Sequence, residues 1–202
     1  MLDKIIYFSG IHGSGKSTLI NELTQKINTL KYTSPYSITL EDTYIRAVWR
    51  ITKSYLETCD HIELLKNNKE KIILADRCIY DNFSYMKGFL KMGWISNNNM
   101  KQFEDIVKAT FDEDHKPKNI IYLSPPKEFV INNILKRWEN NPKKWREDNF
   151  EYLEKVMKEY DKLYSKDIYE LNNSANILTI TATDIQSRKN QAINWIEKII
   201  SD

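Results

Sequence analysis

Five short apolar runs recur along the chain, and a longer stretch of helical periodicity follows each of them. The runs are Lys4–Ser9, Tyr36–Leu40, Lys71–Ala75, Asn119–Ser124 and Asn176–Thr181. Their near-continuous Ile, Leu, Tyr and Thr character predicts strands covered on both faces. Helices are predicted over Lys16–Leu30, Thr43–Asn67, Ile79–Met92, Asn97–Thr110, Pro126–Glu139, Phe150–Leu171 and Asp184–Ile200, with ends placed to ~2–4 residues. Strands alternating with helices predict βα units: an α/β three-layer sandwich with a five-stranded parallel sheet flanked by helices. Neither an internal repeat nor a Gly-, Ser- or Pro-rich linker interrupts residues 1–202, so one domain is expected.

Ligands of open parallel sheets bind at the carboxyl ends of the strands. The first such end carries Gly10-Ile11-His12-Gly13-Ser14-Gly15-Lys16-Ser17-Thr18. This is G-x-x-x-x-G-K-S between a strand and a helix, the context of a phosphate-binding P-loop. Glycines at 10, 13 and 15 free the backbone to turn N–H groups around a polyphosphate at a helix N-terminus. Lys16 is then placed for the β- and γ-phosphates of ATP and the Ser17 hydroxyl for Mg²⁺.

Bulk composition narrows the setting. The net charge of +2, from 30 basic and 28 acidic residues, is too balanced to predict nucleic-acid binding by bulk charge. No window reaches the ~18 apolar residues of a membrane span. Met1 is followed almost at once by the first strand, so a cytoplasmic protein without a leader is expected. Cys59 and Cys78 have no metal or redox spacing and read as buried or spectator thiols.

Further chemistry gathers at other strand ends. Asp76 closes the third run, where a P-loop protein places the acid that helps hold Mg²⁺, and Arg77 follows with a guanidinium suited to a phosphate oxygen. Glu41 and Asp42 follow the second run. Lys136 to Arg146 holds five cations around an Asn-Asn-Pro break between two helices, a basic flap able to close over a transferring phosphoryl group.

The chain resembles the thymidylate kinase and deoxynucleoside kinase group of P-loop kinases. The resemblance is carried by the loop at residues 10–18, by Asp76-Arg77-Cys78-Ile79-Tyr80-Asp81-Asn82-Phe83-Ser84-Tyr85, by Asn119 to Pro126 with the helix ending at Arg137, and by Arg146 to Leu153. It implies a short LID at about 137–147, ATP and Mg²⁺ as cofactors, a nucleotide or nucleoside as acceptor and a homodimer. It also implies catalytic roles for Lys16, Arg77, Arg137 and Arg146, nucleotide contacts along Gly10, His12, Gly13, Ser14, Gly15, Lys16, Ser17 and Thr18, and a metal site at Ser17 and Asp76. Two departures stand out. His12 replaces an aspartate common in thymidylate kinases, and the arginine that grips the acceptor phosphate after the second strand is missing unless Arg46 or Arg50 takes its place.

Glu41 opens an alternative, because a nucleoside hydroxyl must lose a proton as it attacks ATP and nucleoside kinases place a carboxylate at this strand end. The leading expectation is phosphoryl transfer to a nucleoside monophosphate, dTMP foremost. The alternatives are a deoxynucleoside kinase with Glu41 as general base, or a non-kinase P-loop NTPase. Trp49, Tyr55, Tyr80 and Phe83 are candidates to stack on the acceptor base.

Overall fold

The computed structural model describes residues 2–37, 40–110, 115–165 and 175–201. The strands are β1 (Ile5–Ser9), β2 (Thr29–Lys31), β3 (Ile72–Asp76), β4 (Asn119–Leu123) and β5 (Asn176–Ile180). The helices are α1 (Lys16–Thr24), α2 (Thr43–Asn67), α3 (Ile79–Lys91), α4 (Asn97–Thr110), α5 (Lys127–Trp138), α6 (Phe150–Ser165) and α7 (Ile185–Ser201). All pairings are parallel, in the order β2-β3-β1-β4-β5.

Alternation along the strands divides the core into two layers. Ile5, Tyr7, Ile73, Ala75, Ile120 and Tyr122 face α2, α3 and α6. Ile6, Phe8, Leu74, Ile121 and Leu123 face the other way, onto Leu19 and Leu23 of α1 and Ala192 and Ile196 of α7. The wholly buried β1 lies at the centre, which puts the loop after it in the middle of the sheet's carboxyl edge.

The second strand corrects the sequence reading. It is formed by Thr29–Lys31, within the stretch read as the end of the first helix, and pairs Thr29 with Ile72 and Lys31 with Leu74. Helix α1 stops at Thr24, whose hydroxyl donates to the carbonyls of Ile20 and Asn21 and competes with continued helix. Tyr36, Ser37 and Leu40 are not strand, and Ile38 and Thr39 lie outside the described residues. Pro35 suits the exit from an edge strand, since it has no N–H to contribute to a ladder. Glu41 and Asp42 therefore do not follow a strand: Asp42 caps α2, its Oδ1 accepting from Ile45 N at 2.8 Å. Of the predicted helix Phe150–Leu171, the part beyond Ser165 lies outside the described residues.

Helices α3 and α6 pack closely where α3 has a glycine. A Cβ at Gly88 would collide with Cγ2 of fully buried Val156. Alanine there gains about 1 kcal/mol of helix propensity, against about 1–3 kcal/mol of overpacking. Gly88→Ala is expected to lower the thermal midpoint by up to roughly 8 °C, given about 2–4 °C per kcal/mol for a chain of this size, and calorimetry would measure it. A raised midpoint would show that α6 yields at less cost than alanine's gain in helix propensity.

Candidate active site

The phosphate loop takes backbone that only glycine adopts freely at Gly10 (φ 135°), Gly13 (φ 78°) and Gly15 (φ 95°). A Cβ at Gly13 would stand 2.7 Å from the carbonyl oxygen of Val130, so α5 approaches the loop as closely as glycine permits. Gly15 caps α1 without a side-chain hydrogen bond, which leaves the first-turn N–H groups of α1 as donors for a phosphate.

Lys16 is buried, and its Nζ donates to the carbonyls of Gly10 (2.8 Å) and Ile11 (3.0 Å), 3.9 Å from Asp76 Oδ1. Burial first, then the Arg77 charge, bring its ammonium down to about 7, with Asp76 and Asp81 opposing. A polyphosphate beside it favours the charged form again. Ser17 Oγ donates to Asp76 Oδ2 at 3.5 Å. Mg²⁺ takes oxygen ligands and keeps several of its waters, so this hydroxyl–carboxylate pair beside the loop fits it without a larger protein cage.

Arg77 turns the chain from β3 into α3 with φ 78°, a left-handed conformation uncommon outside glycine. Its N–H donates to Phe8 O at 2.9 Å, and its Nη1 donates to Gly10 O (3.1 Å), Tyr160 Oη (2.8 Å) and Asp81 Oδ1 (3.4 Å). Asp81 is completely buried and also accepts from Gly10 N, Cys78 N and Tyr160 Oη. The guanidinium lies 4.9 Å from the centre of the Tyr85 ring, and Arg50 lies over the same ring at 4.1 Å.

The connection between α5 and α6 is fastened by another buried carboxylate. Glu147 pairs with Arg137, accepts from Lys144 N at 3.0 Å and Trp138 Nε1 at 3.4 Å, and lies 3.6 Å from His12 Nδ1. Arg137 and Lys144 thereby face the phosphate loop across a cavity of about 530 Å³, which Arg188, Phe129 and Asn133 also line. Arg188 is buried, donates to Ser14 O at 2.7 Å and lies over the Phe129 ring. Arg146 goes elsewhere: it is exposed, has φ 54°, stacks over Trp94 at 4.1 Å and lines none of the cavities described here.

Beside the donor cavity lies one of about 230 Å³, lined by His12, Arg46, Trp49, Arg50, Lys53, Ser54, Glu57, Asp76, Arg77 and Asn82. A third, of about 500 Å³, opens toward Tyr85, Trp145 and Tyr152. His12 lines all three and sits where they meet. Burial first, then Arg77, Lys16, Arg50 and Lys144, hold its imidazole neutral, well below its ordinary pKa. The site is a positive crossroads, and His12 is no proton donor there.

The fold thus brings together Lys16, Ser17, Asp76, Arg77, Arg137 and His12 from distant parts of the chain. It leaves two sequence candidates outside. Glu41 is exposed and lines no cavity described here, and Arg146 is committed to tryptophan faces. Of the aromatic candidates, Trp49 lines the smaller cavity, Tyr80 and Phe83 are core residues, and Tyr55 is 40% exposed. Sequence reasoning counted Lys144 among the flap cations and missed Glu57, Asn82, Glu147 and Arg188 as site residues. Glu57 was legible as part of a stripe with Arg46, Arg50 and Ser54 on one helix face, whereas Glu147 and Arg188 carry no signal before the chain is folded.

The model of the deoxynucleoside kinase family matches residues 6–201. Two curated relatives are thymidylate kinases. That of Leptospira interrogans is 26% identical over 91% of this chain and 96% of its own length, and that of Leptospira borgpetersenii is 24% identical over 83% and 84%. Among solved structures, deoxyadenosine kinase from M. mycoides with bound dATP has a TM-score of 0.74 at 19% identity, over 95% of this chain and 98% of that one. The same enzyme with the products dCMP and a flexible dCDP gives 0.66 at 17%, over 96% and 99%. These structural likenesses establish the fold.

Glu147→Ala would strand the Arg137 charge beside the cavity in the connection between α5 and α6. Removing one partner of a buried pair costs about 3–5 kcal/mol, an upper bound here because Arg137 keeps 26% of its surface exposed, so a fall of up to roughly 20 °C in the thermal midpoint is expected at this chain length. A loss below 1 kcal/mol in chemical denaturation would show that solvent compensates Arg137.

Proposed function

The chain belongs to the deoxynucleoside kinase family, and from that premise we propose that it transfers the γ-phosphoryl group of ATP to the 5′-hydroxyl of a deoxynucleoside. It is a phosphotransferase of the nucleoside and nucleotide kinase type. The acceptor is the finer question. One observation carries the choice of a neutral acceptor: the smaller cavity is lined by the largely buried Glu57 carboxylate as well as by Asp76. Its arginines are partly engaged by the protein, Arg77 with Asp81 and Tyr160, Arg50 with Asn82 Oδ1 at 3.2 Å and Arg46 with Leu40 O at 2.7 Å, and each keeps further N–H groups. A phosphate acceptor would meet these carboxylates as a like charge, and a neutral nucleoside would not.

In this reading the N–H groups of the loop and Lys16 cradle the ATP phosphates, and Ser17 and Asp76 hold Mg²⁺. When bound, Mg²⁺ neutralises charge on the β- and γ-phosphate oxygens. Arg137 and Lys144 face the transferring group from the LID, exclude water and stabilise charge as it develops. Arg188 and Phe129 wall the far side of the donor cavity. Trp49 and Tyr36 are the aromatic side chains that line the smaller cavity and could meet the acceptor base.

A second reading is dTMP as acceptor. The thymidylate kinase relatives favour it, as does the concentration of positive charge around His12. A coupled ADP-release assay with MgATP and deoxyadenosine, deoxycytidine, deoxyguanosine, thymidine or dTMP separates the two. Turnover is expected with at least one nucleoside, giving its 5′-monophosphate. Turnover with dTMP and no nucleoside would overturn the first reading in favour of the second.

A further inference from the structure

We propose that Arg188, on the first turn of α7, binds the polyphosphate chain of the donor nucleotide and supplies the charge that the phosphate loop lacks where α1 begins. This rests on the reading of the donor cavity as the seat of the ATP phosphates. Three arginines line that cavity, Arg77, Arg137 and Arg188. Two of them have a fully buried carboxylate of their own, Asp81 for Arg77 and Glu147 for Arg137. Arg188 is only 2% exposed, yet among the described residues it forms no ion pair with any carboxylate. Asp184, one turn earlier, spends its carboxylate on Ser187 N at 2.7 Å. Burial weighs against the guanidinium's charge, and the field of Asp184 offsets part of that. A cation taken out of water without a counter-ion is costly. The triphosphate is the anion that this cavity takes in the donor reading, and it would supply the missing charge.

The guanidinium is held in place by neutral partners. Nε donates to Ala182 O at 2.6 Å, Nη1 donates to Ser14 O at 2.7 Å, and the group lies over the Phe129 ring at 4.6 Å. These bonds use two of its five N–H groups, and Nη2 has no protein partner among the described residues. A Cβ at Gly15 would stand 2.5 Å from Nη1, so the third glycine of the loop makes room for this side chain. Ser14 and Gly15 directly precede the first turn of α1, whose N–H groups are the loop's own phosphate donors. Lys16 Nζ reaches back from there to Gly10 O and Ile11 O. The two cations thus address the phosphate chain from different ends of the loop.

The test measures binding by the whole protein. MgADP and inorganic tripolyphosphate are titrated calorimetrically into wild type, Arg188→Gln and Arg188→Lys. Glutamine removes the charge and can keep one bond to a loop carbonyl. Its affinity for both ligands should fall by about tenfold or more, while KM for the acceptor changes by less than about threefold. Lysine keeps the charge without the planar fork and should fall between the two. It serves if the glutamine variant does not fold, with an expected loss of about threefold or more. A merely structural Arg188 would lower the thermal midpoint of the free protein and leave the ligand affinities of the folded variants at wild type, a result that overturns the proposal. So does a loss confined to MgADP, which would assign the contact to the base or the sugar. A wild-type protein that binds neither ligand fails one step earlier, at the donor reading, so the two failures are told apart.

Discussion

The buried carboxylate of Asp81 is the interaction on which the site depends. It accepts from Gly10 N in the phosphate loop, Cys78 N at the start of α3, the Arg77 guanidinium and the Tyr160 hydroxyl on α6. Three segments far apart in sequence, around Gly10, Arg77 to Asp81 and Tyr160, are thereby referred to one point with no exposed surface. A charge so placed survives only because its oxygens are satisfied and Arg77 opposes it. The left-handed turn at Arg77 follows from the same demand, for it lets the residue after β3 bond Phe8 O through its N–H while its side chain returns to Gly10 O. The backbone cost of that turn, on the order of 1 kcal/mol, is offset by these bonds.

Glu147 repeats the device on the other side of the loop. It gathers Arg137, Trp138, the Lys144 backbone and His12, so the basic connection between α5 and α6 rests against the phosphate loop as well as against its own helices. Two buried carboxylates thus hold cations within reach of the phosphates and limit their mutual repulsion. Burial first, then the charges of Arg77, Lys16, Arg50 and Lys144, disfavour protonation of His12 at this point. An anion entering the crossroads between the three cavities completes the balance, which is how a phosphoryl-transfer site stays preorganised without being neutral.

Much of this was legible in the sequence because its causes are local. The phosphate loop, the largely apolar and wholly buried β1 and β4, and α2 and α4 with their capping and periodicity follow from residues that dictate their own conformation. The edge strand did not, since Thr29–Lys31 is short, partly exposed and fixed by pairing with Ile72–Leu74 rather than by its own pattern. That error propagated: with the strand placed at Tyr36–Leu40, Glu41 seemed to occupy a strand end, whereas it is exposed ahead of α2. Arg146 misled in a different way. A guanidinium in a basic run reads as a phosphate ligand, yet Trp94 and Trp145 offered it aromatic faces. The importance of Glu147 and Arg188 was invisible because it consists entirely of contacts made across the fold.

The smaller cavity is walled by one face of α2, and a helix suits that task. A strand-end loop positions one side chain at a time and moves with its own backbone, whereas a helix fixes a row of side chains at one spacing. Here Arg46, Arg50, Ser54 and Glu57 share a face, and Asn82 ties the middle of that row to the helix that begins at the Asp81 hub. That wall is therefore referred to the same buried carboxylate as the phosphate loop. The two cavities are set by one network, which is what the proposed transfer between two reactants would require of their separation.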